Sequence, residues 1–263
     1  MEEYKAVGKT LPETYHEALK TLYVLGDYTE CPDWNCTQQE CSMTMVVREP
    51  LKEPMISKLF IGGMKELEQY KQEMLDGILD FEIEKGKWEY TYHDRMVNYP
   101  CVTKDGSIKR VNQIQFVIDE LKRNPYSRRA VIVIRNVGVD AGNSDPACLQ
   151  HIQYFIRGNE LDCDVLFRSN DACKATFMNA FALIKLQEKI ASELGVDVGT
   201  YTHRANSFHC YEKDYELLES YFNRIANANN DDKLCYSYED DWKEIMESYK
   251  PQIAKEVEDL KLR

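Results

Sequence analysis

The chain has 263 residues, a formal net charge of −12 and 43% hydrophobic residues. This is enough for one domain with a substantial core, and no Pro/Gly/Ser-rich linker, low-complexity tract or internal repeat divides it, so residues 1–263 are expected to form a single domain. The acidic balance argues against nucleic acid as the primary partner, no apolar run is long enough to span a membrane, and the start MEEYKAVGKTLPETY lacks the apolar segment of a signal peptide.

A cytoplasmic location is therefore expected, where thiols stay reduced. Nine cysteines are also an odd number for a closed disulfide set. Cys31, Cys36 and Cys41 are evenly spaced, but zinc pairs are normally closer and no downstream pair completes a site, so no metal is expected. A small anionic ligand would need a local basic pocket set against the global field, which makes clustered Arg informative.

In chain order, TLPETYHEALKTLYVL (10–25) predicts a helix with Thr10 as its cap, Pro12 and Glu13 in the first turn and Gly26 at its end. SMTMVVR (42–48) predicts a strand and MKELEQYKQEMLDG (64–77) a charged helix. In VNQIQFVIDELKRNP (111–125), Ile114, Val117, Ile118 and Leu121 recur at helical spacing and Pro125 stops the element. The β-branched run RAVIVIR (129–135) predicts a strand buried on both faces. HIQYFIRGNELDCDVLFRS (151–169) predicts two strands joined at RGNE, followed by a long helix deep in the core within 171–195. Residues 198–211 predict a strand, and 213–228 and about 240–263 are helical. Strands and helices mix without a strict βαβ repeat or a G-x-G-x-x-G, which excludes a Rossmann reading.

Taken singly, each cysteine is more readily a packed thiol than a nucleophile. The order of motifs changes this for Cys148: KELEQY, EYTYHDR, PYSRRA, PACLQHIQY, FRSND, then Asn179 eight residues on, then NSFHCY. That order and spacing resemble the thymidylate synthase and pyrimidine hydroxymethylase family over about residues 12–225, most closely its archaeal-type thymidylate synthases. The resemblance implies a mixed α/β (α+β) fold, a large mixed sheet flanked by helices. It also implies a symmetric homodimer in which two sheets pack face to face.

By resemblance, Cys148 adds to C6 of uracil and so makes C5 nucleophilic. Such a step calls for a thiol pKa below the free value, which nearby Arg would supply. Arg168 and Ser169 would hold the substrate phosphate from the same subunit, and Arg128 and Arg129 would reach it from the neighbouring copy. Arg suits the task because its fork binds phosphate oxygens bidentately. Asn179 would read the base, donating to O4 and accepting from N3–H. The cytosine-specific relatives carry Asp there, so Asn179 argues for uracil. Gln153 joins the substrate set through its spacing from Cys148. His209 and Tyr211 alternate on one strand, so they share a face, and would bind the sugar hydroxyl. Glu66 matches the family's proton-relaying glutamate, with Glu68 as its neighbour, and Tyr90 the tyrosine that assists C5 deprotonation, with Tyr92 as alternative. Asp171 would hold the pterin of the folate.

Several positions depart from the family. No Arg precedes Arg48, Ala175 stands where a glycine is frequent, Ser207 replaces an aspartate, and the chain ends in EVEDLKLR rather than a small apolar tail. The expected reaction is conversion of dUMP to dTMP with 5,10-methylenetetrahydrofolate or a tetrahydromethanopterin-like one-carbon donor. The alternative is a dUMP or UMP 5-hydroxymethylase, in which water reaches the same covalent intermediate. A non-catalytic nucleotide- or RNA-binding homologue is disfavoured by the joint presence of Cys148, Glu66 and Tyr90 and by the acidic charge.

Overall fold

The computed structural model describes residues 1–228 and 234–262. Its first half contains β1 (Glu3–Gly8), α1 (Leu11–Leu25), β2 (Asp27–Cys31), β3 (Cys36–Val47), β4 (Ile56–Ser57), α2 (Met64–Asp76), α3 (Phe81–Glu84), α4 (Tyr92–Val97), β5 (Tyr99–Val102), β6 (Ile108–Val111) and α5 (Gln113–Arg123). Its second half contains β7 (Val131–Val133), α6 (Val137–Asp140), β8 (Leu149–Arg157), β9 (Glu160–Phe167), β10 (Asn170–Asp171), α7 (Thr176–Leu194), β11 (Asp197–Tyr211), α8 (Tyr215–Asn227), β12 (Cys235–Tyr236), α9 (Lys243–Ser248) and α10 (Lys250–Lys261).

The main sheet has eight strands in the order β1-β3-β11-β9-β8-β7, with β2 also on β3 and β10 also on β11. It is mixed: β1/β3, β9/β11 and β10/β11 run parallel, whereas β3/β11, β8/β9 and β7/β8 run antiparallel. The large mixed sheet flanked by helices is therefore present as expected.

The helix starts follow local chemistry. Thr10 Oγ1 accepts from the Glu13 backbone N–H and the Glu13 carboxylate reaches back to the Thr10 N–H, a capping box that closes the first turn of α1. Helix α7 is buried almost all round, from Phe177 through Ile184 to Ala191, and stops at Gly195 in the left-handed region at φ 68°. A helix so enclosed holds the residues it carries in fixed positions.

The sequence expectation for 129–135 needs correction. Only Val131–Val133 pair as a strand, β7 is the last strand of the sheet order, and Val133 is 41% exposed. A run of β-branched residues looks the same whether a helix covers one face or both. Here one face has no cover. Strand β3 starts six residues before the apolar run at 42, because Thr37 to Glu40 are held by pairing with β2 rather than by burial.

Two irregularities shape the site. The β8/β9 register shifts between Leu149 and His151, and the β11/β3 register shifts between Ala205 and Phe208. Strand β9 leaves β11 at the Phe167/Ala205 pair, and β10 resumes beside β11 at Asn170/Phe208. Arg168 and Ser169 occupy the gap, next to the start of β8. Bulges at such points re-aim side chains out of the ladder.

Candidate active site

A cavity of about 450 Å³ opens where these breaks meet. It is lined by Cys148, Ser169, Asp171, Asn179, His209 and Tyr211, and walled further by Trp34, Tyr70, Tyr92, Asp145, Lys174 and Met178. Its size falls within the range of small-molecule sites.

Cys148 lies immediately before β8, half-buried, and its carbonyl accepts from the Arg168 N–H at 2.8 Å. The Arg168 guanidinium is pinned across the same turn: Nε donates to the Ala147 carbonyl at 3.2 Å and Nη2 to the Pro146 carbonyl at 2.6 Å, with Asp145 at 3.6 Å. The expected depression of the thiol pKa is not found. Burial pushes Cys148 up, Arg168 pulls it down and Asp145 pushes it up again, and the balance is upward. The arginine that should activate the thiol shares its turn with a carboxylate, which the motif alone did not weigh.

The Ser169–Asp171 segment is held from beneath. Asn170 Oδ1 accepts from Thr176 Oγ1 at 2.9 Å and lies 2.8 Å from His203 Nε2, while His203 Nδ1 lies 2.9 Å from the Tyr201 hydroxyl. Burial lowers the His203 pKa to about 3, so the ring is neutral. One tautomer satisfies every contact, with Nε2–H donating to Asn170 and Nδ1 accepting from Tyr201. Asp171 Oδ1 accepts from the N–H groups of Cys173 (3.0 Å) and Lys174 (2.8 Å), one turn ahead of the α7 cap rather than as the cap itself. Burial raises its pKa.

His209 lies 3.3 Å through Nδ1 from the Ser207 carbonyl and 3.4 Å from Ser169 Oγ, and its Nε2 is buried without a protein partner. An Nδ1–H donating to Ser207 leaves Nε2 as an acceptor for a ligand hydroxyl. Burial lowers the His209 pKa. Tyr211 packs edge-on to His209 at 4.7 Å and its hydroxyl is pushed up to about 12. Ser207, where the family has an aspartate, donates to Glu40 Oε2 of β3 at 2.6 Å. A carboxylate thus returns to this corner from the neighbouring strand.

Other expected residues lie elsewhere. Tyr90 faces a second chamber of about 270 Å³ with Glu73, Met74, Leu79 and Trp88; Tyr70 and Tyr92 line both spaces. Glu66 is exposed and lines neither, and Glu68 is buried against Lys71. Gln153 donates through Nε2 to the Arg128 carbonyl at 3.1 Å and lies on the open sheet face with Val131 and Val133. Arg128 and Arg129 are exposed and outside the Cys148 cavity.

Sequence reading missed Tyr70, Glu73, Trp34 and Lys174. The available signal for the first two was helical phase: Tyr70 follows Glu66 by one turn and Glu73 follows Tyr70 by another, so the three share a side of α2. Burial raises the pKa of Glu73, and Gln69 Nε2 donates to a carboxylate of the same residue at 2.9 Å. Among the described residues no group of three or more His, Cys, Asp or Glu side chains converges on a metal position. No described helix is long and apolar enough to cross a membrane.

Residues 52–259 match the family model described as thymidylate synthase. That match starts later than the resemblance read from the motifs and runs further towards the C-terminus. A protein of Methanocaldococcus jannaschii named "Putative thymidylate synthase" is 38% identical over 166 residues, 61% of this chain and 70% of its own length. Proteins of the same name from Methanosarcina acetivorans and Methanosarcina barkeri are 32% and 27% identical over 215 residues each, in both cases 81% of this chain and 92% of theirs.

Proposed function

The chain belongs to the thymidylate synthase family, and from that premise we propose that it methylates dUMP to dTMP through a covalent bond between Cys148 and C6 of the base. The observation that carries this reading is the gathering of Cys148, Ser169, Asp171, Asn179, His209 and Tyr211 around one cavity from four separate stretches of sequence.

The Cys148 sulfur adds to C6, and the ring electrons move through C5 to O4. Asn179 donates to O4, where negative charge develops, and accepts from N3–H. His209 Nε2 and the Tyr211 hydroxyl take the sugar hydroxyl. Ser169 and Arg168 take the phosphate, for which Arg168 exchanges its Asp145 contact. C5 then bonds to the one-carbon unit and loses its proton. Reduction to the methyl group and departure of the thiolate complete the cycle. Tyr90 is held as a phenol by burial, which raises its pKa, so it orients water at the C5 proton instead of acting as a phenolate. Of the carboxyls on α2, Glu73 shares a chamber with Tyr90 and Glu66 does not, so we give the proton-relay role to Glu73.

The cosubstrate in this reading is 5,10-methylenetetrahydrofolate or a tetrahydromethanopterin-like carrier, which supplies the one-carbon unit and the hydride. The wall fits a pterin: the Asp171 carboxylate is fixed by two backbone N–H groups beside the apolar edge of Met178 and the ring of Trp34. A homodimer belongs to the same proposal. It is supported by the uncovered sheet face at Val131 and Val133 and by the exposure of Arg128 and Arg129, which lie outside this copy's own Cys148 cavity and are free to reach a phosphate in a second copy.

One observation favours the second reading, a 5-hydroxymethylase. Helix α10 packs through Ile253 and Val257 onto Leu79, held by Lys65–Glu256 at 2.6 Å, and none of its described residues lines the Cys148 cavity. The first test of the common covalent step is release of tritium from [5-³H]dUMP. The wild-type chain is expected to release it and Cys148→Ala to release none. Equal release by both, or a lack of release and of binding by the wild type, would overturn the proposal.

A further inference from the structure

Tyr70 has no role in the chemistry above, yet its hydroxyl is bonded to the residue that reads the base. Tyr70 comes from α2 and Asn179 from α7, 109 residues later, and the Tyr70 hydroxyl donates to Asn179 Oδ1 in a short hydrogen bond. Both residues line the Cys148 cavity, and Asn179 is only 5% exposed. We propose that Tyr70 is a positioning residue that fixes which end of the Asn179 amide faces the pyrimidine, and thereby sets the preference for uracil over cytosine. This rests on the reading of the cavity as a pyrimidine nucleotide site.

An amide has two unlike ends, and the two bases present opposite patterns to it. Uracil offers an acceptor at O4 and a donor at N3–H; cytosine offers a donor at N4 and an acceptor at N3. With one lone pair of Oδ1 taken by Tyr70, the Nδ2 hydrogens are left for O4 and the second Oδ1 lone pair for N3–H. That arrangement suits uracil. Cytosine needs the amide turned over, which would set Nδ2–H against the Tyr70 hydroxyl and strand the phenolic proton. Burial raises the Tyr70 pKa, so the proton is present at neutral pH. Among the described residues the hydroxyl makes no other hydrogen bond. A buried donor left without a partner is costly, and that cost falls on cytosine alone.

Unlike the sequence argument from Asn179 itself, this places part of base selection on a residue that need not touch the base. Removing the hydroxyl while keeping the ring should free the amide to turn. The packing of α2 on α7 would be kept, because Phe fills the same space.

The test measures equilibrium binding of dUMP and dCMP to the wild type and to Tyr70→Phe, by calorimetry on the full chain. The wild type is expected to favour dUMP, and Tyr70→Phe to lower the dUMP/dCMP affinity ratio by about tenfold or more, with dUMP affinity itself changing less. In an Asn179→Asp background the carboxylate has no unlike ends, so Tyr70→Phe should leave the ratio unchanged. A wild type that prefers dUMP and a Tyr70→Phe variant with the same ratio would overturn the positioning role alone. An equal shift in the Asn179→Asp background would also overturn it. A wild type that binds neither nucleotide would overturn the nucleotide-site reading and this inference with it.

Discussion

The two walls of the Cys148 cavity are built on different principles. One wall comes from the sheet: Cys148 at the head of β8, Ser169 and Asp171 beside β10, and His209 and Tyr211 on β11. The other comes from helix α2, the segment ahead of α4 and the first residue of α4, and supplies Tyr70, Tyr92 and, in the adjoining chamber, Glu73 and Tyr90. On a strand, a two-residue alternation fixes which face a side chain takes: His209 and Tyr211 share the cavity, whereas Gln153, an odd number of residues from Cys148, lies on the open sheet face. On a helix, a change of one or two positions rotates a side chain by 100° or 200°, so a motif match says little until the phase is known. Glu66 and Glu68 show the consequence, one exposed and one buried two positions apart, while Glu73, two turns on from Glu66 along the same side, is enclosed.

The largest effect is expected on the sheet wall. Cys148→Ala should reduce turnover by at least about 10⁴-fold, the scale on which removal of a covalent nucleophile acts, while dUMP binding remains measurable. Substantial turnover by that variant would remove the sheet wall from the chemistry altogether.

The helix wall separates Glu66 from Glu73. Glu73→Gln should lower kcat by about 10²-fold, as loss of a general acid–base group does. Glu66→Gln should leave kcat within about twofold, as expected of an exposed side chain away from the cavity. The reverse order would show that the N-terminal end of α2 closes on the substrate on binding, and that the motif was the better guide.

A smaller effect concerns the thiol itself. Its pKa is raised, so the neutral thiol dominates at pH 7 and reactivity should climb with pH beyond the ordinary thiol midpoint. Asp145→Asn removes a carboxylate that raises the pKa, and should speed alkylation of Cys148 by iodoacetamide at pH 7.5. The gain should be only about threefold, because Asp145 is largely exposed and its charge is screened. Site-resolved mass spectrometry distinguishes Cys148 from the other thiols. A rate independent of pH between 7 and 9 would contradict the raised pKa.

Much of the fold was legible. The capping box at Thr10 and Glu13, the helical spacing of Ile114 to Leu121, the hairpin at RGNE and the apolar continuity of 177–191 each carry a local signal that tertiary structure did not override. Strands β1 and β2 and the β5–β6 hairpin lack such a signal. Ile108 and Val102 are 73% and 77% exposed, so their pairing leaves no alternation between core and solvent to read. At the site, the family resemblance pointed to Cys148, Ser169, Asp171, Asn179, His209 and Tyr211, which line one cavity, and also to Gln153, which lies on the open sheet face instead. Tyr70 was not singled out, because an aromatic residue at helical spacing looks like ordinary core until its hydroxyl is seen against Asn179. The thiol pKa was misjudged for a different reason: it depends on the balance among burial, Arg168 and Asp145, and the motif drew attention only to the arginine.

The most direct measurement is the product itself: purified protein with dUMP and 5,10-methylenetetrahydrofolate, analysed by mass spectrometry. The account predicts dTMP with stoichiometric dihydrofolate, abolished in Cys148→Ala. A 5-hydroxymethyl product with tetrahydrofolate released would contradict it, and would show a cavity that admits water where the account requires its exclusion.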